Sequence, residues 1–463
     1  LKRIKLNIED IFNLPSAVIY NPDNFKSITN VAIDSRKVKK GSLFIAIKGN
    51  NLDGHNFVNA AVKNGATAIL IDRKRYKDFD EVDIPVITAE NTIKSLGYIA
   101  NVWRKKIKAK VIGITGSSGK TSTKEILAAL LSEKFKVNKT ELNNNNHIGV
   151  PLTILNTTAK HDIVVAEVGT NHFGEIAYTA KILEPDYAVI TNIGSSHIKF
   201  LKSKKGVLKE KSALLDETKK RNGKIFMNYD DPLLKNFCKN YPNRITFGFN
   251  EQADVTGKIS GLSETGKPEV KINSKLAKFS KVLPVYGEIN ARNFLAASTI
   301  GLHLGLNIPQ IKKGTDKIKS APGRLDVKHF KNFTLIDDTY NANPESTKAA
   351  IELTARIKTR VKKIILLGDM FELGKGEIKI HKNLKSVIDQ NRIDEVYTIG
   401  KAMKYLNDSL SDKKLFKRHF NSRNQLKDFL REYNFRNAVV LIKGSRGMHM
   451  EEFVQAITEK TIR

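Results

Sequence analysis

The stretch from Val111 to Thr123, V-I-G-I-T-G-S-S-G-K-T-S-T, restricts the chain to few folds. Val111, Ile112 and Ile114 read as a short buried strand that breaks at Gly116 and Gly119, and the residues from Lys124 to Ser132 read as a helix. Strand, glycine-rich turn and helix make a phosphate cradle. Glycines let backbone N–H groups turn towards an anion, and the helix N-terminus adds positive potential there. Gly116, Ser117, Ser118, Gly119 and Ser122 supply the turn, Lys120 reaches the outer phosphates, and the Thr121 hydroxyl suits a magnesium ion. The match to G-x-x-x-x-G-K-[ST] is incomplete, because Ile114 holds the first glycine position between Gly113 and Gly116. The context on both sides still predicts that the chain binds ATP or GTP.

A chain of 463 residues is too long for one ordinary core, and about three domains are expected. Residues 1–107 form a first unit, with strand, turn and strand over Val31 to Gly49, a short helix from Asn59 and a strand from Thr67 to Asp72. Residues 108–325 form a second, opened by the cradle and continued by strands at Asp162–Val168, Tyr187–Ile193 and Lys224–Asn228 and a helix at Gly206–Glu217. Such alternation predicts a mostly parallel sheet covered on both faces. Ala253 to Pro284 changes to short alternating strands, an antiparallel edge, followed by a helix from Ala291 to Leu304. Residues 326–463 repeat the alternation, with strands at Phe333–Asp338, Lys363–Gly368, Glu395–Gly400 and Ala438–Lys443. This third unit reads as Rossmann-like, and without a G-x-G-x-x-G fingerprint it is not expected to bind a dinucleotide.

The net charge of +31 invites a nucleic-acid reading. The lysines are spread along the chain, and the densest cluster, Lys199 to Lys211, has only Phe200 as an aromatic. A solvated basic surface that draws anionic small molecules is the expectation, with no nucleic-acid partner. There is no apolar run of about 18 residues, so no membrane span is expected, and the residues from Leu1 to Asp10 lack the apolar core and cleavage site of a leader. The single cysteine, Cys238, excludes an internal disulfide framework and fits a reducing cytoplasm.

Past the cradle, an apolar strand ends in Glu167, where sheets that bind nucleotides hold magnesium. The next strand leads to His197, a candidate metal ligand or phosphate contact. The run of asparagines from Asn143 to Asn146 makes by itself a plain loop, and Ile336 to Pro344 ends a third-unit strand in Asp, Tyr, Asn and Pro residues that also suit a turn.

Together these motifs resemble the ATP-dependent Mur ligases of peptidoglycan synthesis. The resemblance rests on Asp34-Ser-Arg36 with Asp53-Gly-His55, Thr115 to Thr121, Asn145-Asn-His-Ile-Gly149 and Glu167 to His172. It continues through Pro322-Gly-Arg324, Asp337 to Pro344, Leu367 to Gly374 and Lys443-Gly-Ser-Arg446, over nearly the full chain. The pair Y-N-A-N-P and L-G-D-M-x-E-L-G points to the branch that adds D-alanyl-D-alanine to UDP-N-acetylmuramoyl-tripeptide. The resemblance implies a three-domain α/β architecture: an N-terminal domain for the UDP end of the substrate, a central P-loop ATPase domain with a parallel sheet, and a C-terminal Rossmann-like domain that closes over the site. It implies ATP and Mg2+, an acyl phosphate on the tripeptide carboxylate, and attack on it by the dipeptide amine. A cytoplasmic monomer is expected.

Position by position, the resemblance gives Lys120 the outer phosphates, Thr121 and Glu167 the first magnesium, and His197 the second. Lys211 matches the family lysine that becomes carbamylated, with Lys209 a neighbouring alternative. Arg324 stabilises the transferring phosphoryl group, and Asp338 contacts the ribose. Ser35 and Arg36 face the uridine diphosphate, Asn145, Asn146, Asn341 and Asn343 face substrate, and Lys443 and Arg446 are substrate or closure contacts. Two departures stand out. Ile289 replaces a family histidine ahead of the nucleotide-contacting Asn290 and Asn293, and Lys199 replaces a family acidic residue. The rival readings are a sibling amino-acid ligase of the third-residue or folate-polyglutamylating kind, a basic nucleic-acid-binding ATPase, and a non-catalytic relative.

Overall fold

The computed structural model describes residues 4–462, organised on three sheets that follow one another along the chain. The first has the spatial order Val18–Tyr20, Val86–Ala89, Ala66–Asp72, Ser42–Ile45 and Asn30–Ala32, parallel except for the first strand. The leader reading of the N-terminus falls in part on residues 1–3, outside the described residues.

The central sheet runs Val137–Lys139, Ile163–Glu167, Lys110–Thr115, Tyr187–Ile190, Lys224–Asn228, Arg244–Gly248 and Val255–Leu262, all parallel. Pro268–Ser274 and Lys278–Val282 extend it as the expected antiparallel edge. Because side chains alternate across a strand, Val111 and Ile112 enter different cores. Val111, Val164 and Ala188 pack under helices that include Glu175–Leu183 and Lys204–Lys220. Ile112, Val165 and Val189 pack under Lys120–Leu131 and Glu288–His303. The two central strands are apolar between their ends, over Val111 to Ile114 and Ile163 to Ala166, as burial on both faces requires.

The third sheet runs Asp326–His329, Phe333–Asp338, Ala438–Lys443, Lys362–Gly368, Glu395–Ile399 and Phe416–Phe420, parallel except for the first strand. Phe416–Phe420, with Lys417, Arg418 and His419 at its middle, and Arg244–Gly248 are strands that apolar patterning did not disclose.

Helix Thr92–Lys106, which a boundary after residue 107 assigns to the first unit, is bonded to the second. Trp103 Nε1 donates to the Thr157 carbonyl at 2.8 Å, and Arg104 donates to the Leu183 carbonyl at 2.7 Å and to Asp186 at 2.9 Å. Its apolar face shares one core with both units, so no gap separates them there.

Candidate active site

The carboxyl ends of Lys110–Thr115 and Ile163–Glu167, neighbours in the sheet, open on a cleft of about 490 Å3 whose far wall comes from the third sheet. A parallel sheet places its ligand site at this end, where the order of strands reverses.

The cradle is held by geometry only glycine satisfies. Gly116 has φ +152° and a side chain there would meet Thr191 Oγ1 at 1.9 Å; Gly119 has φ +78° and would meet Asn293 Oδ1 at 2.5 Å. The helix starts directly after it, at Lys120. Asn192 Oδ1 accepts from the N–H groups of Ser117 and Ser118 at 3.1 and 2.9 Å, and the Ser117 hydroxyl accepts from the Gly194 N–H at 2.8 Å. Lys120 Nζ folds back to the Gly116 carbonyl at 2.9 Å. Burial pushes the Lys120 ammonium below its usual range, with Arg324 adding to the effect and Glu167 opposing it. An anion in the cleft would relieve that burden.

Glu167 is 1% exposed. Its Oε1 accepts from the Thr121 hydroxyl at 3.1 Å and from Asn145 Nδ2 at 2.8 Å, whereas its buried Oε2 has no hydrogen-bond partner, the Lys124 ammonium lying 3.8 Å away. A hydroxyl beside a carboxylate oxygen with spare capacity suits a hard cation that takes its remaining ligands from phosphates and water, as Mg2+ does. Among the described residues no cluster of three or more His, Cys, Asp or Glu side chains forms a cage for a metal.

His197 lines the cleft and places Nδ1 2.5 Å from Glu372 Oε2, in the loop after strand Lys362–Gly368 of the third sheet. That hydrogen bond holds the Glu372 carboxyl below the usual carboxylate range, against the effect of burial. Lys211 lies behind the cleft wall rather than on it, 1% exposed in helix Lys204–Lys220, while Lys209 is exposed. Positions two apart on a helix face nearly opposite ways, so only one of the two lysines can be buried against the sheet. Burial drives the Lys211 ammonium well below its usual range, Lys120 adding and Glu210 opposing.

Just ahead of the third sheet, Arg324 sets its guanidinium carbon 3.9 Å from the centroid of Tyr340, and Arg446 stands 5.7 Å from the same ring. Asp338 is bonded at both oxygens, to Lys443 Nζ at 2.5 Å and to the Leu325 N–H at 3.1 Å, and Lys443 also donates to the Asn341 carbonyl at 3.0 Å. Asn343 Oδ1 caps helix Pro344–Arg356 through the Ser346 N–H at 2.8 Å. From the central unit, Asn290 donates to the Tyr286 carbonyl at 2.9 Å and Asn293 abuts the cradle.

Of the expected residues, Ser117, Ser118, Gly119, Lys120, Ser122, Asn145, Glu167, His197, Asn290, Asn293, Arg324, Asp338, Asn341 and Asn343 line this one cleft, and Gly116 and Thr121 stand directly behind it. Lys211 is buried behind the wall, and three more are elsewhere. Asn146 is turned to a capping task, its Oδ1 accepting from the N–H groups of Ile148 and Gly149 at 3.1 and 2.9 Å. Ser35 and Arg36 belong to the first sheet unit, where Asp34 holds the exposed Arg36 guanidinium by two 2.9 Å hydrogen bonds. Sequence reasoning passed over Lys124, Tyr340 and Glu372 as site residues. Lys124, one helical turn after Lys120, is fully buried and donates to the Thr140 and Leu142 carbonyls, both at 2.8 Å. Its spacing from Lys120 was the available signal.

Residues 27–104 match the Mur ligase family catalytic domain, residues 114–301 the Mur ligase middle domain, and residues 323–446 the Mur ligase glutamate ligase domain. The chain is 33% identical over 465 residues to the UDP-N-acetylmuramoyl-tripeptide–D-alanyl-D-alanine ligase of Bacillus subtilis, spanning 99% of this chain and 100% of that one. It is 33% identical to the enzyme of the same name from Escherichia coli, over 93% of each chain. Among solved structures, MurF from Acinetobacter baumannii superposes with a TM-score of 0.89 at 28% identity, covering 99% of this chain and 100% of that one. MurF from Thermotoga maritima in complex with ADP superposes with a TM-score of 0.81 at 30% identity, covering 94% and 98%.

Proposed function

The chain belongs to the Mur ligase family, and from that premise we propose that it joins D-alanyl-D-alanine to UDP-N-acetylmuramoyl-tripeptide at the expense of ATP, in peptidoglycan precursor synthesis. The observation that carries the reading is the convergence, in one cleft, of the Lys120 cradle, Glu167 and Arg324 from the second unit with Asp338 and the Asn341–Asn343 loop from the third.

A carboxylate is a poor electrophile towards an amine, and phosphorylation supplies it with a leaving group. Phosphoryl transfer itself depends on positioning and on positive charge near the equatorial oxygens. Lys120 and the N-terminus of helix Lys120–Leu131 serve the outer phosphates, and Arg324, steadied on the Tyr340 ring, faces the charge that develops on the transferring group. Thr121 and Glu167 would hold a magnesium ion, which supplies charge neutralisation across the phosphates, and His197 Nε2 would serve a second. Burial drives the Lys211 ammonium well below its usual range, and as a free amine it would take up carbon dioxide as a carbamate, releasing a proton and becoming an oxygen donor. Asp338 serves the ribose and Asn290 and Asn293 the base. The dipeptide amine then attacks the acyl phosphate, forming the amide and releasing phosphate, with ADP left in the cradle.

We assign residues 1–107 to the UDP end of the substrate through Ser35 and Arg36, 108–325 to ATP, and 326–463 to closure and the dipeptide. We propose a cytoplasmic monomer; among the described residues no helix is long and apolar enough to cross a membrane.

The test is phosphate release from ATP and Mg2+ with UDP-N-acetylmuramoyl-tripeptide, with and without D-alanyl-D-alanine. Release that needs both and yields the pentapeptide supports the reading. Release only with another amino acid, or with a folate, replaces it with a sibling ligase.

A further inference from the structure

His197 and Glu372 are separated by 175 residues and follow strands of different sheets, yet their side chains share a 2.5 Å hydrogen bond across the cleft wall. Both residues have left-handed backbones, φ +56° and +64°, although neither is glycine. A non-glycine residue keeps such a conformation where its surroundings over-determine it.

The surroundings of Glu372 do so. Asp369 caps helix Lys401–Ser409 through the N–H groups of Met403 and Ala402 at 2.8 and 3.3 Å. The Met370 N–H donates to His381 Nε2 at 2.9 Å, and the Phe371 N–H donates to Ser445 Oγ at 2.8 Å. The Ser445 N–H returns to the Asp369 carbonyl at 3.0 Å. On the opposite side the Glu372 carbonyl accepts from the Lys199 N–H at 3.0 Å. Every residue from Asp369 to Glu372 is therefore anchored, and the Glu372 carboxylate is delivered to one imidazole nitrogen.

A carboxylate only accepts, so His197 carries a proton on Nδ1, and in the Nδ1–H tautomer the lone pair is on Nε2. An imidazole that serves a cation or a phosphate-bound ligand needs the same arrangement, with the other ring nitrogen donating to a carboxylate. We propose that Glu372 is a positioning residue: carried on the third domain, it selects the Nδ1–H tautomer of His197 and directs Nε2 into the cleft, so that this histidine is competent only when the third domain is docked on the second. The inference deepens the ligase reading and rests on it. It explains why a residue of the third domain that lines the cleft makes its side-chain hydrogen bond to a protein side chain: its action passes through His197.

The experiment uses the full chain, labelled with 15N-histidine, in the presence of Mg2+ and ADP, with the His197 signals identified by their loss in H197Q. Wild type shows His197 as the Nδ1–H tautomer, and E372A loses that signature. In steady-state assays with both substrates E372A loses about 10- to 100-fold in kcat, while each KM moves far less. E372Q, whose carbonyl still accepts from Nδ1, retains the tautomer and most of the rate. Full kcat in E372A overturns the proposal, as does a loss of kcat with the His197 signature unchanged, or an E372Q as impaired as E372A. A wild-type chain that makes no pentapeptide refutes the ligase reading instead, and the tautomer measurement is then read independently of it.

Discussion

The Thr121 hydroxyl donates to Glu167 Oε1 at 3.1 Å, while the second oxygen of that buried carboxylate has no hydrogen-bond partner. A buried acceptor left unmatched costs stability, and native proteins retain one where something else completes it. E167Q keeps the Thr121 and Asn145 contacts through its carbonyl but removes the charge. The expected outcome is a turnover about 100-fold lower and a shift of the Mg2+ requirement to higher concentration, with a melting temperature close to wild type. A magnesium titration of ligation checks it, and an unchanged requirement would remove Glu167 from the metal role.

Lys120 is half-buried and donates to the Gly116 carbonyl of the phosphate cradle. K120A is expected to lower kcat/KM by about 1,000-fold or more while leaving the fold intact, because its loss strands phosphate charge in a partly desolvated cleft. Circular dichroism alongside the ligation assay separates the two effects. Substantial ligation by K120A would show that the cradle is not where ATP reacts.

Gly119 tolerates no side chain, since its φ of +78° disfavours one and Asn293 Oδ1 occupies the space at 2.5 Å. G119A is expected to cost about 1–3 kcal/mol of stability and to weaken ADP binding. N293A added to G119A, which opens the space without changing the backbone, restores part of the stability but not the ADP binding, since Asn293 itself serves the base. Urea unfolding and calorimetric titration with ADP measure both quantities.

Lys211 has its folded-state pKa pushed well down from the 10.5 of a free lysine, so over the interval between the two values the unfolded chain binds more protons than the folded one. Stability therefore rises with pH across that interval, and the penalty is full below it. In buffer free of carbon dioxide, K211M should melt higher than wild type at neutral pH, and the difference should shrink as the pH approaches 10.5. Bicarbonate should raise the turnover of wild type and leave K211M inactive. A melting difference independent of pH would refute the assignment.

The Arg324 guanidinium over Tyr340 supplies a last test. Y340F keeps the ring and should behave as wild type, whereas Y340A should lose about 2- to 30-fold in kcat, the range of one cation–π contact. If the two variants lose equally, the hydroxyl rather than the ring is what matters.

Local features of the site were legible in the residues themselves. The cradle, the strands around it and the helix that follows are set by glycine placement and by β-branched runs within a dozen positions, because backbone sterics act over a few residues. For the same reason the antiparallel edge after Ala253 and the parallel order of the third unit could be anticipated from patterning. Phe416–Phe420 could not, since an edge strand with one side in water needs no apolar alternation and this one carries Lys417, Arg418 and His419.

Other features waited on the packing of distant parts. The sequence by itself determined which groups the chain has for phosphate and cation chemistry, and the local turn that exposes them. Tertiary structure alone decided that Lys211 and not Lys209 is buried, that Asn146 caps a helix instead of facing the cleft, that helix Thr92–Lys106 joins the second core, and that Glu372 meets His197. Each depends on which surface of another element arrives at a given position. That is the outcome of burying apolar faces across the whole chain, and no short stretch of residues contains it.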